Sequence, residues 1–158
     1  MHLWLLRHGK AVERDQWQST DAERPLTKEG IAHARRVLNL MHGWLEVSEV
    51  WTSPMTRARQ TAALAAAEWK RPLREKSWLA EGAQSPQACA QQLDAALDVV
   101  LVGHEPDLGV LAGWLCGGRP IPMKKAGLIH LEGLPHAGAM DVRAVLPPKL
   151  MLGLAGDA

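Results

Sequence analysis

At 158 residues the chain is long enough for one domain with a full core and too short for two ordinary ones. Its charges nearly cancel, to a net +1, so there is no global basic field to gather nucleic acid and any electropositive site has to be local. No stretch approaches the roughly 20 apolar residues of a membrane helix. The opening MHLWLLRHGK has no basic segment ahead of its short apolar run, as a signal peptide would. The expectation is a single cytoplasmic domain over 1–158 with no nucleic-acid or membrane partner. Cys89 and Cys116 share no zinc-type or CxxC spacing, which reads as two free thiols. The seven Trp, without any Phe or Tyr, read mainly as core residues, as at Trp4, Trp51 and Trp114.

In chain order, Leu3 to Leu6 is a short run apolar on both faces, which predicts a strand in the middle of a sheet. Glu13 to Arg24 is polar and aperiodic and reads as a surface loop, with Trp17 its exposed aromatic. Thr27 is a candidate N-cap for a helix carrying Ile31, Ala34, Val37, Leu38 and Met41 on one face. A strand follows at Glu49 to Thr52, then an Ala-rich helix from about Met55 to Trp69. A weak strand near Pro72 to Trp78 and a helix from Pro86 to Leu97 lead into Asp98 to Gly103, the clearest buried strand. A helix from Asp107 to Cys116 comes next. Gly127 to Leu131 and Met140 to Val145, joined by a Gly- and Pro-containing segment, read as an antiparallel hairpin. The Gly-rich tail from about Pro147 carries little information. The predicted class is α/β: three layers, α/β/α, with a mostly parallel, mixed sheet and helices on both faces.

Ligands of open α/β sheets bind outside the carboxyl ends of the strands. Those ends read Arg7-His8-Gly9, Ser53-Pro54-Met55-Thr56-Arg57 and Gly103-His104-Glu105-Pro106. If the three strands are neighbours, two guanidiniums and two imidazoles converge. Such a cluster suits a tetrahedral oxyanion, because the planar fork of Arg matches phosphate geometry. Phosphoryl transfer needs mainly positioning and charge neutralisation, and a neutral imidazole is a competent nucleophile toward phosphorus.

Arg7-His8-Gly9 resembles the RHG signature of the histidine phosphatase superfamily, which includes the phosphoglycerate mutases. Arg24-Pro25-Leu26-Thr27 with Gly30, Ser53-Pro54 with Arg57-Ala58 and Gln60-Thr61, and Val102-Gly103-His104-Glu105-Pro106 resemble its SixA branch of short phosphohistidine phosphatases. The resemblance runs in order from Met1 to about Val145. It implies a phosphoglycerate mutase-like fold, a phosphoryl group carried on His8, and Arg7, Arg57 and His104 holding its oxygens. It also implies catalysis without a metal or other cofactor. The partner would be a phosphohistidine-bearing protein of a signalling or phosphotransfer kind, or else a small phosphorylated substrate.

Esters, unlike phosphohistidine, leave as poor leaving groups and need a general acid. Glu81 is the candidate and Glu105 the lesser one. A phosphatase of small phosphate monoesters using Glu81 is therefore the alternative function. A non-catalytic phosphate-binding module would have no need of the nucleophile. Metal hydrolases lack their HExxH-like spacing here and P-loop enzymes their GxxxxGK[ST]. Ser53 reads as a structural turn residue. Arg24 either braces its loop or touches substrate. Lys124 and Lys125 read as solvated charge, with a place at the pocket rim as the lesser reading.

Overall fold

The computed structural model describes residues 1–156. Six strands form one sheet in the order β3-β2-β4-β1-β5-β6. They are β1 (His2–Arg7), β2 (Glu49–Thr52), β3 (Leu73–Glu75), β4 (Val99–Gly103), β5 (Leu128–Gly133) and β6 (Met140–Leu146). The first four are mutually parallel, and β5 runs antiparallel to both β1 and β6. The mixed sheet and the phosphoglycerate mutase-like α/β architecture are as expected. β1 and β4 lie at its centre, and the apolar runs that identify them have essentially no exposed surface.

The helices are α1 (Lys28–Leu40), α2 (Thr56–Trp69), α3 (Pro86–Ala90), α4 (Asp107–Leu115) and α5 (Pro148–Leu154). Alternate residues of the strands feed two cores. Trp4, Leu6, Val50, Val100 and Val102 pack with α1, α2 and α5, through Val37, Leu38, Ala58, Ala62, Ala65, Met151 and Leu152. Leu3, Leu5, Trp51, Val99 and Leu101 face the other way, onto Ala90 of α3 and Leu108, Leu111 and Leu115 of α4. The small side chains of α2 let that helix approach the sheet closely.

Four sequence expectations are corrected. The helix expected over Pro86 to Leu97 stops at Ala90, because Asp94 bonds the backbone N–H of Ala96 and Asp94 O accepts from Leu97, a local turn that competes with helix. The strand expected over Pro72 to Trp78 is three residues long and runs into a 3₁₀ turn, Ser77–Leu79. The loop of residues 13–24 holds two 3₁₀ turns, Arg14–Gln16 and Asp21–Glu23, and Trp17 is half-buried with its indole N–H on Thr20 O (3.0 Å); the exposed Trp is Trp44. The tail contains α5, whose Met151 and Leu152 are buried against the α1 side of the sheet.

One close approach fixes the loop after β1. Thr27 caps α1 by accepting from Gly30 N (2.9 Å), which presses the first turn of the helix against Lys10. A Cβ on Gly30 would lie 2.1 Å from Lys10 O. Gly30→Ala is expected to displace residues 9–11 and cost about 1–3 kcal/mol, read as a lower urea midpoint with an unchanged slope.

Candidate active site

The register explains the convergence. Arg7 pairs with Gly103 and Thr52 with Val102, so β1, β4 and β2 end level with one another. His8, His104 and Ser53 each follow directly, and His8 N and Ser53 N continue the ladder onto Gly103 O and Val102 O (3.1 and 3.0 Å). Pro54 and Met55 turn the chain into α2, which carries Arg57 in its first turn. The structure thus brings together all four residues singled out in the sequence, and Glu81 joins them from the segment after the 3₁₀ turn. The His8 and His104 rings are 5.1 Å apart between centroids, tilted by 54°.

His8 is fixed by its own turn. Nδ1 lies 2.8 Å from Gly9 O; a carbonyl only accepts, so Nδ1 carries the proton and Nε2 keeps its lone pair. Burial pushes the His8 pKa down to about 4, against the pull of that carbonyl and with help from the charges of Arg57, Arg7 and Arg24. Gly9 N donates to Thr61 Oγ1 (3.0 Å), and that hydroxyl donates to Arg57 O (2.8 Å). The turn that carries His8 is thereby tied to the helix that carries Arg57.

His104 is almost wholly buried, and burial, then His8 and Arg57, lowers its pKa to about 3. Its Nε2 sits 2.8 Å from Ser53 Oγ, and that oxygen already accepts from Met55 N (3.2 Å). Of these two partners only Nε2 can accept, so the hydroxyl proton is assigned to it, which leaves His104 protonated at Nδ1. No side chain or backbone group among the described residues accepts that N–H, and Arg7 Nε and Arg57 Nε are likewise buried without a partner. Ser53 thus shapes the turn, as the sequence indicates, and also sets the tautomer of His104.

Arg7 is anchored through NH1 on Met123 O (2.7 Å). Arg57 is held from three directions: NH1 on Asp21 O (2.8 Å), NH2 on Asp21 Oδ2 (3.0 Å) and NH2 on Glu81 Oε2 (2.7 Å). Glu81 Oε2 is also 4.0 Å from His104 Nδ1. Asp21 additionally pairs with Arg24 and Arg14, and these cations keep its carboxyl below the usual carboxylate range against the opposing effect of desolvation. Arg24 NH1 reaches Val12 O (2.7 Å), so this residue braces its loop. The lesser acid candidate, Glu105, is half-buried with its carboxylate oxygens against Gly109, and burial raises its pKa. Arg59 faces outward onto Glu75.

Sequence reasoning passes over Asp21, and it quotes Thr61 as part of a motif without giving it a role. Asp21 sits in an aperiodic polar stretch, where only its place three residues before Arg24 hints at a pairing. Thr61 lies one helical turn beyond Arg57, the spacing at which a hydroxyl meets a carbonyl.

Fold and cluster together define the class: a three-layer α/β protein of phosphoglycerate mutase-like architecture with an RHG histidine at the carboxyl edge of its central strands. The family model of the histidine phosphatase superfamily (branch 1) matches residues 3–86. An uncharacterised protein of Picosynechococcus sp. is 36% identical over 161 residues, covering 96% of this chain and 94% of that one. The phosphohistidine phosphatase SixA of Escherichia coli K12 is 28% identical over 145 residues, covering 87% and 88%. A solved structure of the protein histidine phosphatase SixA complexed with tungstate superposes with a TM-score of 0.85 at 23% identity, over 96% of this chain and 99% of that one. The chain belongs to the histidine phosphatase superfamily (branch 1), and its class of activity is that of a phosphatase. No helix among the described residues is long and apolar enough to cross a membrane.

The two buried neutral histidines make stability depend on pH. An unfolded chain takes up protons on both near pH 6.5, whereas the folded chain resists until about pH 4 at His8 and about 3 at His104. Stability is therefore full above about pH 6.5 and is lost as pH falls toward 4, by on the order of a few kcal/mol. Urea unfolding followed at pH 7.5, 6 and 4.5 is expected to show this fall, and His104→Gln is expected to flatten it.

Proposed function

We propose that this protein is a metal-independent phosphohistidine phosphatase that removes phosphoryl groups from histidines of other proteins through a covalent phosphohistidine on His8. The observation that carries the reading is the state of His8: Nδ1 is tied to Gly9 O, and the ring is held neutral beside three arginines. Nε2 is then a fixed nucleophile of the right charge.

Nε2 attacks phosphorus in line, and the P–N bond to the substrate ring breaks. With a proton on its other nitrogen, the substrate ring departs as neutral imidazole. Arg7, Arg57 and His104 Nδ1–H supply the donors that balance charge on the equatorial oxygens, and the partnerless buried N–H groups mark unused capacity for an oxyanion. Water then attacks the phosphoryl group on His8, giving inorganic phosphate and the free imidazole. Arg57 would meet the incoming dianion while still bonded to Asp21 and Glu81, through the N–H donors these leave free or by displacing one carboxylate. The likeness to SixA over most of both chains supports a phosphohistidine substrate.

One observation favours the second reading, a phosphatase of small phosphate monoesters. Glu81 does reach the cluster, where a general acid would stand. In this structure its carboxylate is an acceptor for Arg57.

The two readings separate on substrate and variant. With EDTA present, wild-type protein is expected to hydrolyse a phosphohistidine-bearing protein rapidly and p-nitrophenyl phosphate slowly, and His8→Ala to lose at least about 10³-fold on both. Glu81→Gln is expected to keep phosphohistidine turnover within about threefold, since the departing imidazole needs little acid help. Rapid ester turnover that collapses in Glu81→Gln would instead assign the small-ester function.

Replacing Asp21 by Asn removes a negative charge facing any bound oxyanion but keeps an acceptor for Arg57. Tungstate is expected to inhibit Asp21→Asn roughly fivefold more strongly than wild type, by removal of like-charge repulsion; unchanged or weaker inhibition would mean that Asp21 serves chiefly to aim Arg57.

A further inference from the structure

A second feature lies at the same end of the sheet. Leu6 pairs with Leu128, the first residue of β5, so the segment before β5 stands beside the carboxyl end of β1. Leu128 also pairs with Leu146, the last residue of β6, which brings the start of α5 to that end too. The first turns of α1 are held there by the contact of Gly30 with Lys10. Between these three elements lies a groove of about 780 Å³, lined among others by His33, Lys124, Lys125, Pro147, Lys149 and Leu150.

Three properties set this groove apart. Among the described residues it is cationic without compensation: none of their acidic side chains lines it, and none of its three lysines is paired with a carboxylate. The chain as a whole carries only +1, so this field is local. The groove also has an apolar component, since Leu150 is an exposed large hydrophobic residue beside Pro147. Finally, one of its walls is tied by hydrogen bonds to the turn that carries His8. Met123 O holds Arg7, and Ala126 N donates to Arg7 O and His8 O (3.1 and 3.2 Å), so Lys124 and Lys125 ride on a segment clamped at both ends to the RHG turn.

We propose that this groove docks the protein substrate, by receiving an acidic, partly apolar surface that flanks its phosphohistidine. The inference rests on the phosphohistidine reading above and adds to it the chemistry of the partner. Charge complementarity carries it: a surface with Asp or Glu beside Leu or Val would meet the three ammoniums with its carboxylates and Leu150 with its apolar residues. Electrostatics of this kind mainly raise the rate of encounter and fix register, and they weaken with salt. A flat row of phosphates, as in nucleic acid or an anionic membrane, would make no use of the apolar wall.

Two peptides phosphorylated on a central His provide the test, one flanked by Glu and Leu and the other by Gly and Ser, with free phosphohistidine as the small substrate. The acidic peptide is expected to show about tenfold higher kcat/KM at low salt, through KM, with the advantage shrinking as NaCl is added. Lys149→Glu, and separately Lys124→Glu with Lys125→Glu, are expected to remove most of that advantage while free phosphohistidine is turned over as by wild type. Anisotropy of the fluorescent, unphosphorylated acidic peptide reads the groove without any chemistry. Binding that is absent, or that Lys149→Glu leaves intact, overturns the docking proposal even if phosphohistidine is hydrolysed. Tighter, Lys149-dependent binding of a single-stranded RNA oligonucleotide or of phosphatidylserine vesicles overturns the choice of partner. Peptide binding that depends on Lys149, with no hydrolysis of any phosphohistidine probe, upholds the groove and overturns the catalytic reading instead.

Discussion

The guanidinium of Arg57 is the constraint around which the rest of the site is arranged. It is 1% exposed and sits in the first turn of α2, where the helix dipole already presents positive charge. A buried cation in that place costs several kcal/mol unless it is paired and hydrogen-bonded. The chain meets the cost by folding residues 13–24 back over the sheet edge, so that Asp21 supplies both a carbonyl and a carboxylate, and by bringing Glu81 from the far side of β3. Arg24 then braces Asp21. These two carboxylates hold Arg57 in this structure, and under the proposed phosphatase function they are the negative charges that an arriving dianion would meet.

The imidazoles obey the opposite logic. Both lie where their charged forms are disfavoured, and both have one nitrogen committed to a fixed partner, Gly9 O for His8 and Ser53 Oγ for His104. The tautomers that result are complementary. His8 presents a lone pair at Nε2, and His104 keeps an N–H at Nδ1. One fold thus leaves a lone pair on one ring and an N–H on another, with centroids 5.1 Å apart, on two chemically identical side chains, by choosing which nitrogen each one spends on the backbone or on a serine.

Much of this was legible in the sequence, for identifiable reasons. Continuous apolar runs at Leu3 to Leu6 and Val99 to Val102 mark central strands, because only buried strands can be apolar on both faces. Placing Arg7, His8, Arg57 and His104 just past strand ends then brought them to one edge. The register that levels those ends is set by long-range pairing and could not be read locally. The α3 region shows the converse: helix periodicity through Leu97 lost to the side chain of Asp94 capping a turn. Asp21 was invisible because its partners lie 36 and 3 residues away, in a stretch without hydrophobic pattern. The glycines of the tail mask the short apolar face of α5, which buries Met151 and Leu152.

The central claim is that His8 becomes phosphorylated, and at one particular nitrogen. Wild-type protein mixed with excess phosphohistidine substrate would be quenched in alkali within milliseconds to seconds, digested, and the phosphorylated peptide containing His8 examined by ³¹P NMR and mass spectrometry. Because Nδ1 is committed to Gly9 O, the account predicts a transient phosphohistidine on residue 8 bonded through Nε2. A phosphoryl group on Nδ1, on His104, or on no histidine while substrate is being consumed would contradict it.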